Sequence, residues 1–280
     1  MRRFPYYVAL LAGIILIGII LIPSHVEAIT YGFVDTNKSY ANAGAFIVKD
    51  SDGQIFPICS GTLIAPDVFL TASHCTLYFS GQLAPRGFTA YVSFDSPIPF
   101  GDQTTGTTNL IPVTQVVSNP NYNQAQSDPG DIAVLIIPAS ATAGITPAAL
   151  PTFQLLDQLS NQNGLKNGVF TAVGYGVQNR VVGGGVPFFQ DINPIPRMYA
   201  FEGFNALNKG YLRMSQNPAT GNGGACYGDS GGPNFLTVEG KPLIAAITIT
   251  GDAVCRATNV AYRLDTSSAR DFLAPYVSLP

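Results

Sequence analysis

Charge is scarce in this sequence: Asp, Glu, Lys and Arg make up only 11% of its 280 residues, against a norm of about 25%. Tryptophan is absent altogether. The 14 basic and 17 acidic residues include no basic run, so the chain lacks the electrostatic footprint of a nucleic-acid partner. Beyond residue 28 there is one histidine, His74, and none of the four cysteines forms a C-x-x-C pair, which argues against a zinc site. Apolar and turn-forming residues are plentiful instead. The chain is 46% hydrophobic, and its 29 glycines and 21 prolines lie between short runs rich in Val, Ile, Thr, Tyr and Phe. That pattern indicates many short strands joined by turns.

Residues 1–28 form a separate segment. Arg2 and Arg3 supply a positive start, Val8 to Ile22 is apolar, and Val26-Glu27-Ala28 offers small or aliphatic residues at a cleavage site, as in a secretory signal peptide. Fifteen apolar residues at 1.5 Å each cover about 22 Å, short of a ~30 Å hydrocarbon core. Counting from Phe4 lengthens the run, so an uncleaved anchor over residues 4–22 is the alternative, and with it a membrane association. Four cysteines suit export and allow three pairings.

A serine set among glycines, in Cys226-Tyr227-Gly228-Asp229-Ser230-Gly231-Gly232-Pro233, suits a hydroxyl presented on a tight turn among inward-pointing N–H groups. Serine is a poor nucleophile unless an imidazole takes its proton and a carboxylate holds that imidazole. Leu70-Thr71-Ala72-Ser73-His74-Cys75 supplies the imidazole, and Asp131-Ile132-Ala133-Val134-Leu135 supplies the carboxylate. Asp128 is the rival acid; the position of Asp131 directly before an apolar strand favours Asp131. Gly228 to Gly232 also fits the G-x-S-x-G elbow of α/β-hydrolases, but that fold needs a histidine after the serine. None follows Ser230.

The order His74, Asp131, Ser230, with T-A-S-H-C, D-I-A-V-L and G-D-S-G-G-P, resembles the chymotrypsin/trypsin-like serine endopeptidases over roughly residues 29–275. Cys59-Ser60-Gly61-Thr62-Leu63-Ile64, Gly174-Tyr175-Gly176 and Asn259-Val260-Ala261-Tyr262-Arg263 extend the likeness. Composition and pattern alone indicate an all-β chain, with a short helix after Asp265/Thr266 that Pro275 ends. The resemblance implies two six-stranded antiparallel β-barrels packed face to face: a first barrel over about 29–140, a second over about 165–264, and a C-terminal helix at about 266–274. Ala139 to Gly168 reads as the crossover, and Val177 to Arg197, full of turn residues, as an exposed loop.

The resemblance further implies that Ser230 attacks the scissile carbonyl, His74 moves the proton, Asp131 orients His74, and the N–H groups of Gly228 and Ser230 hold the oxyanion. It pairs Cys59 with Cys75 and Cys226 with Cys255. No metal or organic cofactor is needed, and the expected partner is a polypeptide substrate met by a secreted monomer. Gly224, Ala225, Gly251 and Asn259 match the primary specificity pocket. The absence of an acid at Gly224 implies cleavage after uncharged residues, with Asp252 a carboxylate at the rim. Thr248-Ile249-Thr250-Gly251 departs from the usual Ser-Trp-Gly wall. Ile29, freed by signal removal, is expected to pair with Asp229 and switch the enzyme on. The alternative is a binding or adhesion module that keeps the fold; such modules usually lack a triad member, and all three are here.

Overall fold

The computed structural model describes residues 29–101, 108–177, 179–181, 188–190 and 193–280. The expected signal or anchor therefore lies outside the described residues. No helix among those described is long and apolar enough to cross a membrane.

In chain order the strands are β1 (Phe33–Val34), β2 (Ala43–Lys49), β3 (Ile55–Ala65), β4 (Val68–Thr71), β5 (Thr89–Ser93), β6 (Ile111–Pro112), β7 (Gln115–Ser118), β8 (Ala133–Ile136), β9 (Val169–Gly174), β10 (Asn179–Val181), β11 (Phe188–Gln190), β12 (Met198–Leu207), β13 (Tyr211–Ser215), β14 (Pro233–Val238), β15 (Lys241–Gly251) and β16 (Thr258–Arg263). Three short helices join them: α1 (Ser73–Tyr78), α2 (Leu155–Asn161) and α3 (Ser267–Leu273). One sheet runs β6-β5-β2-β3-β4-β8-β7, all antiparallel, and curls into a half-barrel. The other runs β1-β12-β13-β16-β15-β14-β9, and a further β12–β9 pairing closes six of its strands into a barrel. The fold is mostly β, as the sequence implies.

Local chemistry explains the elements. Asp50 Oδ1 accepts the N–H groups of Asp52 and Gln54, and Gly53 takes φ +86°, so the β2–β3 hairpin turns where an Asp-Ser-Asp-Gly stretch stands. Strand β3 is longer than its sequence suggests. It runs through Pro57, which cannot donate to a ladder, because β2 shifts register between Phe46 and Ile47 opposite it. The Thr266 side chain caps α3 by accepting from Ala269 N–H. Two helices are not anticipated by the pattern: α1, which follows the histidine motif directly, and α2, inside the crossover.

The main core joins both sheets, with Phe46, Leu63, Phe69 and Val134 from one and Ile244, Ile247 and Tyr262 from the other. Within the segment expected to be an exposed loop, β10 and β11 pair antiparallel, and its end at Arg197 is buried rather than exposed. Arg197 Nε donates to Asp35 Oδ2 at 2.8 Å, and its Nη1 reaches the carbonyls of Ala43 and Phe94 and the Tyr175 hydroxyl. Polar partners on all sides draw this guanidinium inward. Removing one half of a buried pair strands the other charge, so Asp35→Ala is expected to cost about 3–5 kcal/mol, read from urea unfolding midpoints. A double change of Asp35 and Arg197 to apolar residues of similar volume is expected to recover most of that loss.

Candidate active site

His74 sits in the first turn of α1. Its backbone N–H donates to Asp131 Oδ1 at 2.9 Å and its Nδ1 lies 2.8 Å from Asp131 Oδ2. One carboxylate thus fixes both the main chain and the ring of the histidine. Asp131 is 3% exposed, while the imidazole remains partly open. Ser73 Oγ donates to the Ile132 carbonyl and accepts from Asn119 N–H, and Asn119 Nδ2 holds the Gly130 carbonyl. These bonds lock the Asp131 turn onto α1. The rival Asp128 points elsewhere: its Oδ1 accepts the Tyr262 hydroxyl from the other sheet at 2.9 Å.

The two predicted cysteine pairs are both disulfides, Cys59–Cys75 and Cys226–Cys255. Cys75 Sγ is 3.6 Å from His74 Nε2 and 3.8 Å from the Ser230 carbonyl oxygen, so imidazole and serine residue flank one sulfur atom. No hydrogen bond joins the Ser230 hydroxyl to Nε2 among the described residues. The clustering of Cys59, His74 and Cys75 is this disulfide beside the imidazole; its sulfurs are bonded to each other and offer no thiolate to a metal.

Residues 226–232 form a tight turn pinned on several sides. The Ser230 carbonyl accepts Ser60 N–H at 2.8 Å, Ser60 Oγ donates to the Gly228 carbonyl at 3.0 Å, and Gly231 N–H reaches Thr248. Gly228 and Gly231 adopt φ +92° and +80°, and a Cβ on Gly231 would strike Thr71 and Ser60. The N–H groups of Asp229, Gly231 and Gly232 all have internal acceptors. Those of Gly228 and Ser230 have none among the described residues. Two unspent donors on either side of one peptide are what a developing oxyanion requires.

Ser230 opens onto a cavity of about 210 Å³ that Ala225, Thr248, Ile249, Gly251 and Asp252 also line. Burial pushes the Asp252 carboxyl up, but the N–H groups of Thr258, Arg256 and Ala257 and the Gln216 amide outweigh it and hold the group below the ordinary value. Of the four predicted pocket residues, Ala225 and Gly251 are in the lining. Gly224 and Asn259 are buried behind it. Asn259 Nδ2 there contacts both oxygens of Glu202 at 3.1 Å, an acid that the motifs do not single out. The alternation of β12 does hold a signal: Met198, Ala200 and Glu202 share its buried face.

Asp229 is 1% exposed and its oxygens accept Gly176 N–H and Cys226 N–H. Gly174 and Gly176 are glycines because a Cβ on either would run into this carboxylate. Burial raises Asp229 to about 7 despite those two donors. No ion pair reaches it among the described residues. Ile29 is nevertheless fully buried, against Ala172, Met198 and Ala200. Its neighbour Thr30 accepts Gly224 N–H at its carbonyl and donates its hydroxyl to the carbonyls of Gly224 and Cys255, the latter in the second disulfide.

The family model described as Trypsin matches residues 33–272. A vitellin-degrading protease of Bombyx mori is 28% identical over 180 residues, 62% of this chain, and the chain spans 61% of the length of that relative. Vitamin K-dependent protein C from Equus caballus is 27% identical over 157 residues and from Felis catus 29% over 160, in each case 53% of this chain and 94% of the matched sequence.

Proposed function

Because the chain belongs to the trypsin family of serine proteases, we propose that it is a secreted endopeptidase that cleaves peptide bonds through Ser230, His74 and Asp131. The observation that carries this reading is the two-point grip of Asp131 on His74 beside a serine whose turn leaves the Gly228 and Ser230 N–H groups unspent. Ser230 Oγ attacks the scissile carbonyl carbon while His74 Nε2 takes its proton. The carbonyl oxygen, now anionic, turns to the two N–H groups. The C–N bond then breaks as His74 returns the proton to the leaving amine, and water releases the acyl group by the same steps. Residues 29–280 constitute the peptidase domain and act as a monomer. Residues 1–28 act as the export signal, and the two disulfides favour an oxidising compartment.

A fluorophosphonate probe tests the nucleophile directly, since only an activated serine is labelled. Labelling of Ser230 is expected; its absence from folded protein would leave a binding module.

The pocket takes uncharged side chains at neutral pH. Asp252 is the one carboxylate in its lining among the described residues, and it spends its oxygens on four internal donors. Digestion of a mixed peptide library at pH 7 is expected to give cuts after uncharged residues. A dominant preference for Arg or Lys there would overturn this assignment.

A further inference from the structure

An acid stands one layer behind the floor of the specificity pocket. Glu202 is wholly buried. Asn259 grips both its oxygens, and Ala225, which lines the cavity, turns its backbone N–H toward it. Gly224, next to Ala225, leaves room for this acid: a Cβ at that position would collide with Glu202 Oε1 and Gln216 Oε1. Gln216 Oε1 and Asn259 Oδ1, both buried, have no hydrogen-bond partner among the described residues. Buried acceptors are ordinarily satisfied. Two acceptors beside Glu202 are thus short of donors.

Resting on the reading of this cavity as the primary pocket of a peptidase, we propose that Glu202 is its specificity-determining acid: the pocket takes an uncharged side chain while that carboxyl is protonated and a basic one once it is ionised. The surroundings favour such a change near neutrality. Burial drives Glu202 up to about 8, against the pull of the Asn259 amide and the Ala225 N–H, and the Asp229 charge pushes it the same way as burial. The groups packed on it from β16, β14 and the end of β13 are the neutral Asn259, Asn234 and Gln216. The charges connected to this cluster are acids, Asp229 and, through Gln216 Nε2, Asp252. No cation pairs with Glu202 among the described residues. Its ionisation therefore sets an uncompensated negative charge behind the backbone of Ala225, where screening by water is weak.

Asp252 cannot imitate this behaviour. Its pKa is held low, so its attraction for a basic side chain is constant across the range in which Glu202 changes charge.

The test compares kcat/KM for two peptide amides that differ only in Arg or Leu at the cleavage site, from pH 6 to 9.5. Arginine stays charged throughout, and any pH effect common to both substrates cancels in the ratio. The Arg/Leu ratio of the wild-type chain is expected to rise at least about tenfold across the range, the scale of a gained charge contact. In Glu202→Gln it should stay flat at the low-pH value. Binding of benzamidine, a permanently cationic arginine mimic, should tighten in parallel in the wild type, a readout that needs no variant to fold. A flat wild-type ratio in protein whose Ser230 is labelled by fluorophosphonate would overturn the role of Glu202 and leave the peptidase standing. A rise that persists in Glu202→Gln would overturn it too. Pocket binding that tightens with pH in protein that is never labelled would keep Glu202 and remove the nucleophile.

Discussion

Ser230→Ala is expected to lower kcat for peptide hydrolysis by about 10⁶, His74→Ala by as much, and Asp131→Asn by about 10⁴, the losses known for triads of this kind. The order of these effects follows from the geometry. Serine and histidine share one proton transfer, so removing either removes the step. Asp131 has two tasks, visible as two hydrogen bonds to His74. An asparagine keeps the backbone contact and loses the charge that stabilises the imidazolium and selects its tautomer. The double variant Ser230→Ala with His74→Ala should be scarcely worse than either single change, because they act as a unit. Steady-state rates on a chromogenic peptide and circular dichroism on each variant are the measurements. Hydrolysis by Ser230→Ala at a comparable rate would assign the nucleophile elsewhere.

A form that begins at Ile29 is expected to be more stable at pH 7 than one that retains residues before it, and more active by about 10², the scale of one oxyanion donor. The reason lies at Asp229. Without a partner its burial sets its pKa at about 7 against an ordinary value of 3.8, a distance worth roughly 4 kcal/mol. In that state the protonated acid is the one the fold prefers. Its contribution is complete below about pH 4, the unfolded pKa, and is lost as pH rises toward 7. A free Ile29 amine paired with Asp229 reverses the preference: the carboxylate becomes the stabilised form and its pKa falls below the ordinary value. The amine, whose unfolded pKa is about 7.7–8.0, is raised by the pair. The stability it brings is then full at neutral pH and lost only as pH climbs through the raised value. Glu202 tilts both forms the same way between about pH 4 and 8, so the difference between them isolates Asp229. N-terminal sequencing of active secreted protein, with urea unfolding of both forms from pH 4 to 9, decides the matter. A start elsewhere than Ile29, or equal activity and parallel stability curves, would refute the switch.

The residues brought together at the candidate site were nearly all legible as letters. Ser230, His74 and Asp131 are each framed by a short motif whose neighbours have steric tasks: Gly231 leaves room for Thr71, and Ser73 ties the Asp131 turn. The β2–β3 turn and the cap of α3 were legible for the same reason, since both use a side chain that bonds its own local backbone. Helix α2 was hidden because it begins without a capping side-chain bond, after Gln154 in a left-handed conformation. The burial of Arg197 was hidden because its partners Asp35, Ala43 and Phe94 lie 103 to 162 residues away in sequence, so no local pattern marks it.

The sequence by itself determined a mostly β chain with a serine set among glycines, one histidine beyond residue 28 and no acid at Gly224. These are facts of composition, spacing and local turn chemistry. The geometry that gives His74 to Asp131 is tertiary: Asp131 holds its N–H and Nδ1, while Asp128, three residues earlier, accepts the Tyr262 hydroxyl. The polarity behind the specificity pocket is tertiary too. Glu202 stands 22 residues before Gly224 on another strand, and a buried acid acquires its chemistry from the groups that desolvate it, which no short stretch of sequence contains.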